Sequence, residues 1–325
     1  MSFTSFEDAD KIVDRFINVL HMHGVTPAIG SKIESEFLSP LELLESTRSL
    51  GALVDNPELL ADAAGMYDLA AKLLAVETQP EFDSFIPHLK LFEAGAEFST
   101  AVQPKKGDIR DDVNRKLAEL YLGSLAVHFA FNIQLDHPLN SKGDNPDVMF
   151  EVKPEEGAPS LWALAIKTVS SRSGQTIFEN IQKAAKQIDA AACPANRGMV
   201  VINLKGSLQH DELWKSTYNS LDDAKAELLA QIDAIINAAE ADRPLSDWEP
   251  LFSSRTAPLV FFFAQAVVRL RLPGFNEVPT VLKIAKLANP LGRQDPMAES
   301  IGTHLNHFMQ SIHLGIAGTL DQMPT

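Results

Sequence analysis

An α/β fold, of the α+β kind, is predicted for this chain by three observations. Apolar residues make up 45% of 325 residues, enough to bury a sizeable core. Residues 1–100 carry apolar positions at helical spacing and no strand-like alternation. Residues 108–205 then read, by period and by their turn residues, as helix, three strands, helix and strand, an order that predicts a mixed sheet with helices packed on it. The expected divisions are a helical region at 1–104, a mixed core at 105–210 and a helix, hairpin and helix extension at 211–325.

Each element has its own signal. Phe6, Ile12, Val13, Phe16, Ile17 and Leu20 mark one apolar face of a first helix. Ser39-Pro40-Leu41-Glu42 and Asn56-Pro57-Glu58 each place a capping side chain before a proline, the signature of a helix start. Pro104–Asp108 is linker chemistry, and the acids of Asp108–Asp112 suit the first turn of a helix that runs on through Leu125. Phe129–Leu135, Val148–Val152, Leu161–Val169 and Met199–Leu204 are the four expected strands. The last two are apolar on both faces, as central strands are. Thr176–Ala192 supplies a helix between them. Further on, 221–240 reads as a helix, Pro258–Leu272 and Val278–Leu287 as a hairpin around Pro273-Gly274, and Asp295–Ile316 as a last helix. Val268–Leu272 alternates, which predicts a half-exposed strand end.

Charge and cysteine usage narrow the function. The net charge is −15, which argues against coating a polyanion by bulk attraction. The excess is uneven, with net −11 over residues 1–100, +1 over 101–210 and −5 over 211–325. The middle segment is therefore where a phosphate backbone would dock. The single cysteine, Cys193, allows neither an intramolecular disulfide nor a cysteine-based zinc site, and this fits a reducing compartment. The acidic N-terminus lacks the basic and apolar segments of a secretory signal, and no apolar run reaches the roughly 18–20 residues that span a bilayer. A cytoplasmic protein without a membrane partner is the expectation. No glycine-rich phosphate loop occurs. His21 and His23 are two apart, on different faces of a helix. His304, His307 and His313 have no acid or cysteine patterned with them.

The stretch Gly143–Lys167 organises the functional reading. Asp147 follows Pro146 at the head of one apolar run, and Lys167 closes a second run 20 positions later. Two neighbouring strands would bring this carboxylate and this ammonium to one rim of a sheet. The polar stripe Gln175, Glu179, Gln182 and Lys186, at spacings of 4, 3 and 4, follows on one helix face.

Over residues 108–205 this layout resembles the PD-(D/E)xK nuclease-like superfamily, whose restriction-endonuclease-like core runs αβββαβ. The resemblance implies a phosphodiesterase dependent on Mg²⁺ or Mn²⁺ and acting on nucleic acid, with DNA the expected partner. It makes Asp147 a metal-binding aspartate and Lys167 the catalytic lysine. Glu119 is the implied helix acid, with Asp111 and Asp112 as alternatives. The chain departs from the pattern at Ala165, which stands where the second acid belongs. Some members carry that acid on the following helix, so Glu179 is a candidate metal ligand and Gln182 a candidate contact to metal-bound water or phosphate. The alternative is a catalytically degenerate nuclease-like fold that binds protein or nucleic acid. An interaction protein of another α/β fold is a third possibility, and it would keep Asp147 and Lys167 apart. Outside the core, Val260-Phe261-Phe262-Phe263 predicts an apolar face on the C-terminal strands. An uncovered patch of that kind is normally buried by a partner, so a two-fold homodimer through these strands is expected unless helices of the same chain cover it.

Overall fold

The structure is a computed structural model that describes residues 6–50, 55–94, 112–138, 145–153, 158–241, 243–253, 255–271 and 277–311. The chain opens with three helices, α1 (Phe6–Met22), α2 (Lys32–Leu50) and α3 (Pro57–Leu74). Asn56 caps α3 by accepting from the Leu59 amide at 3.1 Å, with Pro57 in the first helical position, as the sequence implies. The other proposed start is corrected. Pro40 lies inside α2. Its missing N–H would have bonded the Glu36 carbonyl one turn back, and the Ser39 hydroxyl donates to that carbonyl instead, at 2.6 Å. The helix continues because one side chain replaces the lost donor. The short helix α4 (Ile86–Leu89) follows, then α5 (Asp112–Ala126). Asp111, Gly143 and the expected linker Pro104–Asp108 lie outside the described residues.

The core segment follows the expected order: β1 (Phe131–Leu135), β2 (Val148–Val152), β3 (Ser160–Thr168), α6 (Gly174–Asp189) and β4 (Arg197–Asn203). Next come α7 (His210–Lys215), β5 (Thr217–Tyr218), α8 (Leu221–Glu240) and α9 (Leu245–Trp248), then β6 (Thr256–Leu270), β7 (Val278–Ala288) and α10 (Pro296–Gln310). The pieces α7, β5 and α9 are too short to show a period, and the sequence reading passed over them. The strands of the described residues join one mixed sheet in the order β1-β2-β3-β4-β6-β5, with β7 on the other edge of β6. β1, β2 and β3 form an antiparallel meander. After the crossover through α6, β4 lies parallel to β3, and β6 parallel to β4. The sheet thus runs unbroken across residue 210, where the sequence suggested a division.

Alternation along the central strands divides the core in two. Leu164, Ile166, Val201, Phe261 and Phe263 face one cluster, with Phe16 and Leu69 from the N-terminal helices and Leu305 from α10. Ala165, Val200, Ile202, Val260 and Phe262 face the other, with Ile177 and Ile188 from α6 and Ile232 from α8. The phenylalanine run is therefore internal, and the uncovered patch that motivated a homodimer is covered within the chain. β6 is buried along most of its length, and its end alternates as the sequence predicts, with Val268 and Leu270 buried, Arg269 half-buried and Arg271 exposed. Arg269 donates to the Trp214 carbonyl and pairs with Glu277.

Two polar devices join the parts. Asp68 on α3 accepts from Tyr121 Oη at 2.8 Å and from Gln265 at 3.4 Å, and pairs with Lys283 of β7. Burial alone would raise its pKa, but Lys283 and Lys72 hold it below the ordinary carboxylate value. Lys72 in turn donates to the last carbonyls of α10, Phe308 and Ser311. At the other end of the core, Gly174 begins α6 where α8 passes. A Cβ there would lie 1.8 Å from the Ala238 carbonyl oxygen.

Candidate functional site

The meander decides where the site forms. β1 and β3 end at the rim at which β2 begins, so Asp136, Asp147 and Lys167 meet there. Asp147 ties the three strands together. Its amide donates to the Leu164 carbonyl at 3.1 Å and its carbonyl accepts from the Asp136 amide at 3.0 Å. Its Oδ2 accepts from the Ile166 amide at 2.5 Å and lies 4.0 Å from Lys167 Nζ. The expected pairing of this carboxylate with this ammonium is present. Lys167 also donates to Gln187 Oε1, and Gln187 Nε2 reaches the Asn145 carbonyl at 3.4 Å. One glutamine on α6 thus bridges the strand carrying Lys167 and the loop leading to Asp147.

α5 supplies the other side. Its period puts Lys116 and Glu119, three residues apart, on one face, and both are buried. Lys116 Nζ lies 2.9 Å from Glu119 Oε2 and 3.2 Å from Asp136 Oδ2. His88 of α4 brings Nε2 to 3.3 Å from the same Glu119 oxygen. Burial and the nearby Lys116 ammonium push the His88 pKa down to about 3. The ring is therefore neutral and its Nε2–H donates to Glu119.

The electrostatics are those of a site with too little positive charge. Asp147 is pushed up to about 7, first by burial and then by the Glu119 carboxylate; Lys167, the Ile166 N–H and Lys116 pull the other way without offsetting this. Burial works against the Lys116 ammonium, yet Glu119, Asp136 and Asp147 hold its pKa above the ordinary value. A divalent cation beside Asp147 and Glu119 would relieve the repulsion between them. Among the described residues no group of three or more His, Cys, Asp or Glu side chains is arranged to hold a metal. Two carboxylates, with the rest of the shell from water and phosphate, is nevertheless a donor set that suits Mg²⁺.

The remaining candidates lie elsewhere. Ala165 shares Lys167's side of β3 and is fully buried with Ile177 and Ala184, so the position of the missing acid belongs to the apolar core under α6. Glu179 is exposed and accepts from Gln175 at 2.7 Å, and Gln175 in turn accepts from Arg243. Gln182 is half-buried, while the glutamine bonded to Lys167 is Gln187, five positions later. Asp112 begins α5.

The sequence reading did not single out Gln187, Lys116, Asp136 or His88. Only Gln187 left a signal, as a polar residue on the apolar face formed by Ile177, Ile181, Ala184, Ala185 and Ile188. The stripe 175, 179, 182 and 186 is the outer face of α6.

No protein-family model, curated protein or solved structure matches the chain. Among the described residues no helix is long and apolar enough to cross a membrane.

Proposed function

We propose that this protein is a divalent-metal-dependent nuclease of the PD-(D/E)xK type, hydrolysing phosphodiester bonds of nucleic acid, with DNA the expected substrate. The observation that carries the reading is the Asp147–Lys167 pair, 4.0 Å apart at one sheet rim; burial, and after it Glu119 of α5, raises the Asp147 pKa. The strand order supports it, since an antiparallel meander, a crossover helix and a strand parallel to β3 agree with a restriction-endonuclease-like core. Asp147 and Glu119 are the residues that would hold Mg²⁺ or Mn²⁺. Such an ion supplies Lewis acidity toward the scissile phosphate and lowers the pKa of a bound water. Lys167, aimed by Gln187, offsets charge that develops on the phosphate. The rim backbone, tied by Asp147, keeps these groups in place when substrate binds. Glu179 enters this scheme only if α6 shifts on binding.

A second reading, a degenerate fold that binds nucleic acid or protein without cutting, is favoured by one observation: the second-acid position is an alanine sealed in the core. One set of assays separates the two. Purified protein is incubated with duplex DNA, single-stranded DNA and RNA in Mg²⁺ or Mn²⁺. Cleavage should fall by about 100-fold or more in Lys167→Ala and Asp147→Asn, with the far-ultraviolet dichroism of wild type kept although Lys167→Ala, which takes the cation from beside the buried Asp147, melts lower. Equal cleavage by Lys167→Ala and wild type would reject the catalytic assignment. Retained binding with no cleavage under any condition would favour the degenerate reading.

A further inference from the structure

Lys116 has no part in that scheme, yet it is the most deeply engaged cation near the site. Its side chain is 7% exposed, and a buried lysine is rare unless paired. Its ammonium divides itself between two carboxylates, Glu119 at 2.9 Å and Asp136 at 3.2 Å. The Glu119 oxygen it holds, Oε2, is also the one His88 reaches. Glu119 is thus neutralised by the chain itself, through its Oε2.

We propose that Lys116 is the resident counter-ion of the site: it occupies Glu119 in the metal-free protein and must yield that carboxylate when a divalent cation binds. This rests on the nuclease reading above and adds a gate to it. Asp136 makes the exchange feasible. It lies within reach of the same ammonium, so Lys116 keeps one carboxylate partner after releasing Glu119. Without Asp136 the ammonium would be left buried and unpaired, a costly state. Lys116 therefore competes with the cation and is not a group that helps to seat it. A lysine that merely held Glu119 in its rotamer would have the opposite effect on metal affinity.

The test is calorimetric titration of the full chain with Mn²⁺, paired with thermal melts in chelator and in Mn²⁺. Lys116→Met should bind Mn²⁺ about tenfold more tightly than wild type. It should melt below wild type in chelator and recover in Mn²⁺. The double variant Lys116→Met/Glu119→Gln should show neither the gain nor the recovery. Asp136→Asn, nearly isosteric and expected to fold, should bind Mn²⁺ about tenfold more weakly than wild type, because it removes the place to which Lys116 withdraws. If Lys116→Met fails to fold, the Asp136→Asn titration decides alone. Unchanged or weaker binding by Lys116→Met, or unchanged binding by Asp136→Asn, overturns the counter-ion role. If Asp147→Asn still abolishes binding in that case, the nuclease reading stands. Absence of Mn²⁺ binding in wild type and Lys116→Met alike overturns both.

Discussion

His128 shows how one half-buried ring can set a pH dependence. It stacks on Phe308 with centroids 4.6 Å apart. Burial, with the nearby Lys72 ammonium, pushes its pKa down to about 4. In the unfolded chain the ring has the ordinary histidine value, about 6.5. Between these values the unfolded state binds the proton and the folded state excludes it. Stability therefore rises with pH across this window and falls as pH drops through it. His128→Phe keeps the stacking and removes the proton. Its melting temperature should vary less than that of wild type between about pH 4 and 6.5, as scanning calorimetry would show. Identical pH profiles would mean that His128 titrates normally. His88 obeys the same physics but pairs with Glu119, so its substitution would mix stability with the site.

At the scale of an element, the end of α6 matters most, because Gln187 lies in its last turn. The helix stops at Asp189 with carbonyls that have no helical partner. Arg255, at the entrance to β6, reaches the last of them and three carbonyls of the turn that follows. Its guanidinium donates to the carbonyls of Asp189 and Ala190 at 3.4 and 3.1 Å, and to those of Cys193 and Ala195 at 2.6 and 2.8 Å. The Ser253 and Thr256 hydroxyls hold the Asp189 carboxylate at 2.6 and 3.0 Å. Arg255→Ala should cost about 3 kcal/mol, the scale of a lost charged hydrogen bond together with carbonyls left unsatisfied. Arg255→Lys should recover only part of this, because an ammonium cannot fork across four acceptors. Denaturant titration of the two variants checks both statements. A loss within about 0.5 kcal/mol of wild type would show that solvent replaces the fork at no cost.

Across the whole molecule, the Asp68 knot makes the N-terminal helices part of the sheet's own stability. Asp68 is 3% exposed, and Tyr121, Gln265 and Lys283 converge on it from α5, β6 and β7. Asp68→Ala leaves the buried ammoniums of Lys72 and Lys283 without their carboxylate, at a cost of about 3–5 kcal/mol. Because the first core cluster also draws on all three parts of the chain, wild type should unfold in one transition followed equally by far-ultraviolet dichroism and tryptophan fluorescence. All three tryptophans lie at or beyond residue 162, so an independent helical region would melt in the dichroism signal alone. Non-coincident curves would show that the knot does not couple the parts.

The sequence alone determined the elements that have a period and the two residues that sit at their ends. The span Val148–Val152 is the same in both readings, as is 221–240. Alternation and helical spacing are local properties, and burial enforces them wherever the element packs. Asp147 and Lys167 were legible because a polar residue closing an apolar strand must emerge at a sheet rim. Glu119 was named as the helix acid, with Asp111 and Asp112 as alternatives, and the structure buries it beside Lys116. What only tertiary structure decided is which polar residues meet across elements. Lys116, Asp136 and His88 come from a helix, a strand end and a short helix, and no spacing relates them. Glu179 and Gln182 followed the polar stripe, which is the face a helix gives to water, whereas Gln187 was drawn inward because Lys167 offered its buried amide a partner. The phenylalanine run looked like an interface for a similar reason. Its composition states that it must be covered, and only the fold shows that α10 and the helices on the opposite face belong to the same chain.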